Sequence, residues 1–279
     1  MIHPSLAELT DKIRLLPAMP AIALDVIRSL QDSDLDVDAL ARRISQDQAI
    51  AARVLRVANS PFYGLQKQVG SIHDAIVVLG LSTVRSLVLA ASMITRLPGG
   101  DARGFSQGAF WRHGLGTAAA AESLARVLQR PPELMFITGL LHDIGRLAMV
   151  SLYPDTFAAL REQAIREDRP LGLLETDCFG FDHAEAGASL AALWNFPPAI
   201  VDAIGRHHTP GGTPPGSLVG IIHYADAIAR ALELDGEADG QVPHLDQTTI
   251  DGLGVSWEQL NSVLEETQSR FESCRLMLG

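Results

Sequence analysis

The sequence predicts an all-α protein, a multi-helix bundle of two packed lobes. Apolar residues recur at three- and four-residue spacing through nearly every segment, Pro and Gly punctuate those segments, and no stretch sustains the alternation of a strand. At 279 residues and 47% hydrophobic content, the chain can bury a substantial core.

In order along the chain, helices are expected near 5–15, 20–31, 36–45, 47–58, 72–79 and 82–96. Pro61 cannot continue the helix before it and Gly64 permits positive φ, so Asn59-Ser60-Pro61-Phe62-Tyr63-Gly64 reads as a turn. Ser71 followed by Asp74 reads as a helix cap, which accounts for the dipeptide His73-Asp74. The helix pair about Gly80 brings only Arg85 as a positive charge between Ile72 and Leu89, too little for a DNA-reading helix, and reads as core. The Pro and Gly of LPGGDARGF, 97–105, suit a lobe boundary and divide the chain into a lobe at 1–100 and a second at 101–232. In the second lobe, helices are expected near 106–129, 132–149, 154–167, 170–178, 182–194, 197–208 and 217–232. Residues 233–279 form an acidic, exposed excursion and a last amphipathic helix at 256–276, which packs back on the body or offers a homodimer surface. Asp235, Glu237, Asp239, Gly240 and Asp246 loosely match a calcium loop, but Pro243 interrupts the match and a solvated acidic loop is the better account.

Residues 1–100 carry ten basic and nine acidic side chains, while 101–279 carry twelve basic and twenty-four acidic. The net charge of −11 disfavours a nucleic-acid partner, which needs clustered positive charge. The longest uncharged apolar stretch, Ser86 to Thr95, is about half of a membrane span, so no membrane partner is expected. The start of the chain shows no basic segment leading into an apolar one, and only Cys178 and Cys274 are present, which fits a cytoplasmic address.

The chemistry gathers in the second lobe. ELMFITGLLHDIGRLAMV reads as a buried helix carrying His142 and Asp143, and buried groups of this kind need a counter-charge, a hydrogen-bond network or a metal. His113, His183, His207, His208 and Asp226 also fall on expected helices. Imidazole and carboxylate suit Fe, Mn, Zn or Ni, and packed helices can aim them into one cavity. Asp143 with histidines on either side could bridge two divalent ions, an arrangement used in phosphoester hydrolysis. His223, three residues before Asp226, reads as a core histidine or a partner of a ligand, while His3 and His244 receive no role.

The ordered blocks LPAMPAIALDVIRSL, LARRISQDQAIAARVLRVANSPFYG, SIHDAIVVLGLSTVRSLVLA, FWRHGLGTA, LLHDIGRL, FGFDHAEAGASLAALWNFP, IVDAIGRHH and HYADAIAR resemble the HDOD family of bacterial signalling proteins, relatives of the HD-superfamily and HD-GYP phosphohydrolases, over about residues 13–230. The resemblance implies an HD-like second lobe and a metal pattern on His113, His142, Asp143, His183, His207, His208 and Asp226. Every position of that pattern is filled. Two features depart from the catalytic relatives: HHTPGGTPPG replaces the Gly-Tyr-Pro loop, and Arg146 stands where Lys is usual. Arg146 shares a helical face with Asp143 and could pair with it, hold a phosphate or simply be exposed.

The favoured reading is a metal-binding regulatory module acting on signalling proteins or through a nucleotide ligand. The alternative is a metal-dependent phosphohydrolase or phosphodiesterase acting on a nucleotide or cyclic dinucleotide, in which Asp143 and Arg146 carry the chemistry. Ligands alone do not create turnover, so the missing loop weighs against catalysis.

Overall fold

The computed structural model describes residues 6–14, 16, 18–30, 36–97, 104–214, 216–236, 245 and 252–278. It is built of helices, with no strand among the described residues.

The first six helices are α1 (Leu6–Ile13), α2 (Ala21–Ser29), α3 (Val37–Gln46), α4 (Gln48–Ala58), α5 (Ile72–Leu79) and α6 (Leu81–Arg96). Asp47 ends α3 and caps α4, its carboxylate accepting from the amides of Ala49 and Ile50 at 3.2 Å. Ser71 caps α5 through the Asp74 amide, as the sequence suggests. Gly80 joins α5 to α6 at φ +84°, a backbone conformation that glycine enters freely. Helix α6 is the spine of this half: Val84, Leu87, Val88 and Leu89 are buried where it meets α2, α4 and α5. Arg85, the one cation between Ile72 and Leu89, forks onto both carboxylate oxygens of Glu133 at 2.7 Å and donates to the Ser29 carbonyl at 2.8 Å, so it is used internally; α6 is core, while α5 leaves Val77 and Val78 exposed.

The second half contains α7 (Gln107–Val127), α8 (Pro132–Leu141), α9 (Ile144–Leu152), α10 (Pro154–Glu167), α11 (Leu171–Phe179), α12 (His183–Leu193), α13 (Pro198–Arg206), α14 (Leu218–Ala231) and α15 (Trp257–Cys274). Helix α7 is buried along most of its length and packs against α8, α14 and α15. The expected single helix at 132–149 is instead two, broken at His142-Asp143. The run Pro132–Leu152 is long and apolar enough to cross a membrane, yet 83% of its most apolar window is buried inside the protein, as in a core segment.

Two close approaches set the spacing. A Cβ on Gly139 would stand 2.9 Å from the backbone of Ala118, so only glycine lets α8 lie so near α7. A Cβ on Gly145 would overlap the His183 carbonyl oxygen and stand 2.5 Å from the Gly187 amide, so this glycine seats α9 against α12.

The ends of the chain fasten the bundle. Leu9 and Ile13 of α1 are buried where it docks on α9 and α12. Arg270 of α15 pairs with Glu122 of α7 at 2.9 Å, Ser273 shares a 2.6 Å hydrogen bond with Ser60, and Arg56 donates to the Leu276 carbonyl. The last helix therefore packs back on the body, while its first residue, Trp257, stays exposed. The exposed excursion expected from residue 233 begins differently: Leu234 packs over Gly116, and Asp235 is buried beside Arg230.

Candidate metal centre

All seven residues of the sequence pattern converge on one point. His113 lies within α7 and Asp226 within α14, but the others stand at helix ends: His142 closes α8, Asp143 precedes α9, His183 opens α12, and His207 and His208 follow α13. His113, His183 and Asp226 lie on helices as expected, whereas His142, Asp143, His207 and His208 stand just outside them. A helix end turns the chain, so two successive residues there can face the same centre, as His142 and Asp143 do, which neighbours inside a helix cannot.

Asp143 is the hub. Its Oδ2 lies 3.7 Å from His113 Nε2 and 3.6 Å from His142 Nε2, while its Oδ1 lies 3.3 Å from His183 Nε2 and 3.6 Å from His207 Nε2. On the Oδ2 side, Asp226 Oδ1 stands 2.9 Å from His113 and 3.7 Å from His142. On the Oδ1 side, His208 Nε2 is 2.8 Å from His183 Nε2. Two groups result, His113, His142 and Asp226, then Asp143, His183, His207 and His208, and within each the ligand atoms lie within 4.8 Å of one another. Bonds of about 2.0–2.2 Å to a shared ion would bring such atoms roughly 3–4 Å apart.

The residues fit that role. Both oxygens of Asp143, Oδ1 of Asp226 and Nε2 of His207 are buried without a directed hydrogen bond, and buried groups of this type are costly unless something satisfies them. Three of the outward-facing nitrogens are anchored, whereas Nδ1 of His113 is buried without a hydrogen-bond partner. Nδ1 of His142 donates to the Gly139 carbonyl and Nδ1 of His207 to the Ile204 carbonyl, each at 2.7 Å. Nδ1 of His183 meets the Glu175 carboxylate at 2.5 Å. Such anchoring fixes these three rings and their tautomers, leaving Nε2 of each aimed at the centre.

The electrostatics favour cations. Burial disfavours the charged form of Asp143, but the Arg146 guanidinium and His142 outweigh it and hold the carboxyl well below its usual range. Asp226 is likewise held low against burial, by Arg230 and His113. Burial pulls the His113 imidazole down to about 4, with Arg230 adding to the effect, and burial also lowers His207 and His208. Burial opposes charge on His183 too, yet Glu175 raises it to about 9, and the Asp143 and Asp226 carboxylates similarly raise His142 against burial. Carboxylates that attract protons onto these rings would equally attract a metal ion, and the neutral imidazoles are ready ligands.

The sequence pattern omits several participants. Arg230 approaches Asp226 at 3.3 Å, Asp143 at 3.9 Å and His113 at 3.4 Å, and it pairs with Asp235 at 3.7 Å. Its signal was available: it follows Asp226 by four residues, as Arg146 follows Asp143 by three. Arg146 pairs with Asp143 at 3.0 Å. Glu175 had no such signal, since a turn separates it from His183. His223 is a buried histidine whose Nδ1 donates to the His207 carbonyl at 2.7 Å. His3, His244 and most of the calcium-loop pattern lie outside the described residues. Over the centre opens a cavity of about 1030 Å³, with His113, Asp143, Arg146, His183, His208 and Arg230 at its floor.

The HDOD domain family profile matches residues 16–210. A crystal structure of a candidate phosphohydrolase from Shewanella amazonensis SB2B is 30% identical and superposes with a TM-score of 0.78 over 100% of both chains. An HDOD domain protein of unknown function from Geobacter sulfurreducens is 27% identical, with a TM-score of 0.76 over 94% of this chain and 88% of its own. An uncharacterized protein of Treponema pallidum (strain Nichols) is 26% identical over 274 residues, 96% of this chain but 52% of the relative, so the chain spans about half that relative's length.

Proposed function

The chain belongs to the HDOD family, and on that premise we propose that it is a signal-transduction module built around a two-ion transition-metal centre, acting through a ligand bound over that centre or through a protein partner. The observation that carries this reading is the double-facing Asp143, whose two oxygens address two separate histidine groups. On this reading Asp226, His113 and His142 would hold one ion, His183, His207 and His208 would hold the other, and Asp143 would contribute to both. The seven-membered set therefore forms one functional unit, supplied by the 101–232 lobe, with 1–100 and 233–279 packed around it in a cytoplasmic protein.

Divalent ions so held would supply Lewis acidity toward an oxyanion. The chain's own residues do the rest. Glu175 keeps the His183 ring turned toward the centre. Arg146 and Arg230 flank Asp143 and can orient an anion arriving through the cavity.

A second reading, a metal-dependent phosphohydrolase, is favoured by the size of the cavity over a complete ligand set and by the likeness to the Shewanella protein. The regulatory reading is preferred because the loop after His208, TPGGTPPG, lacks the substrate-gripping sequence of the catalytic relatives. Assays of manganese-loaded chain with nucleoside phosphates and cyclic dinucleotides decide between them. The regulatory reading expects no turnover; metal-dependent hydrolysis abolished by Asp143→Ala would establish the enzyme.

A further inference from the structure

The cavity over the centre has a polar floor and an apolar rim. Its floor holds two guanidiniums that converge on one atom, with Arg146 Nη1 3.0 Å and Arg230 Nη2 3.9 Å from Asp143 Oδ2. Each also reaches a cavity-facing imidazole, Arg146 approaching His183 at 3.5 Å and Arg230 approaching His113 at 3.4 Å. Nε of Arg146 is buried there without a hydrogen-bond partner. Four arginines and four aspartates line the walls, so the charges of these eight side chains cancel before any ion is present. Two divalent ions would make it strongly positive even with Asp226 counted, and a multiply charged anion is what such a site takes.

The rim is different. Ile165 is 64% exposed and Leu173 56%, and these two large apolar side chains stand on the wall of this cavity. Half-buried Phe105, its ring 5.8 Å from that of Phe110, continues the same lining. Exposed apolar groups gathered at a cavity mouth mark a surface that a ligand covers. A volume of about 1030 Å³ has room for a ring as well as an anionic head.

We infer that the cavity receives an organic phosphate, its phosphoryl head held between Arg146 and Arg230 and its apolar, ring-sized group lying against Ile165, Leu173 and Phe105. This deepens the metal-centre reading and rests on it only for the charge that the ions add. The ligand class is thus narrower than any phosphate: inorganic phosphate fills the floor alone and leaves the rim uncovered.

Benzylphosphonate and methylphosphonate test this, since both carry a phosphoryl-like dianion and their P–C bond resists hydrolysis. Binding is measured by equilibrium titration on the full chain, with and without manganese, and metal content is measured on the same samples. The expected result is that benzylphosphonate binds about tenfold more tightly than methylphosphonate, the worth of a partly buried ring. Leu173→Ser, at an exposed position, should shrink that preference and leave methylphosphonate unchanged. Arg230→Gln should weaken both ligands about tenfold or more, and Arg230→Lys, which keeps the charge if the glutamine variant misfolds, should weaken both by less. Equal affinity for the two phosphonates, or no binding to metal-loaded chain, overturns the inference while leaving the metal reading intact. A chain that takes up no metal overturns the metal reading instead, and the Leu173→Ser comparison then decides the inference on the arginines alone.

Discussion

The two halves of the centre share Asp143 and little else. The half made by α7, α8 and α14 brings a second carboxylate, Asp226, with His113 and His142, and backs it with Arg230. The half made by α12 and α13 has three histidines, and its other carboxylate, Glu175, stands behind His183 at Nδ1. Negative charge is therefore inside the ligand set in one half and one ring removed in the other. A divalent cation gains more from a carboxylate in direct contact than from one acting through an imidazole, so the Asp226 half should be the tighter of the two and the histidine-rich half the more exchangeable.

The largest effect should come from removing the geometry both halves depend on. Gly145→Ala drives a Cβ into the His183 carbonyl and forces α9 away from α12. That overpacking is expected to cost about 1–3 kcal/mol or more, and the separation pulls Asp143 from His183 and His207. Thermal unfolding and metal content, measured together, should both fall; an unchanged melting temperature with full metal would show that the two halves do not depend on this contact.

Single-ligand changes should then separate the halves. Asp226→Asn should remove the tighter ion and spare the weaker, while His208→Ala should do the reverse, as read by competition titration with a chromogenic chelator. Identical titration curves for the two variants would mean that the halves are not distinct.

A smaller effect is expected behind the ligands. Glu175→Gln keeps the shape but removes the charge on His183, and loss of such a supporting carboxylate costs about 10–100-fold in affinity. The loss should be confined to the histidine-rich half, so an equal loss in both halves would make Glu175 a general fold residue.

The smallest readout is protons. In metal-free chain His183, raised to about 9 once Glu175 overcomes its burial, carries a proton at neutral pH, whereas His113, lowered to about 4 by burial, does not. Metal uptake near pH 7 should therefore release protons from the His183 half, with the release fading as pH rises through about 9. A pH indicator in weakly buffered solution reads this, and release that persists unchanged above that pH would contradict the assignment.

What the sequence made legible follows the same division. Helix spacing gave α10 and α5 at their observed bounds, and the His and Asp positions were readable because their residue types are rare in an apolar core. The break at His142-Asp143 was not, since neither residue is Pro or Gly and the apolar spacing of a helix runs on across it. Asp235 looked like part of a solvated acidic run because its partner, Arg230, reaches it only once α14 has ended and the chain has turned at Glu233, where φ is +52°. Glu175 was hidden for a similar reason: its link to His183 crosses the turn at Gly180. Contacts made across turns carry no periodic signature.

The central claim is that Asp143 joins two ion sites, and elemental analysis tests it most directly. Wild-type full chain and Asp143→Asn, both purified without chelator and checked for native helical content by circular dichroism, are compared for Fe, Mn, Zn and Ni. The wild-type chain should hold about two ions and the variant nearly none. A folded wild type with nearly none, or a variant that keeps the full content, would contradict it.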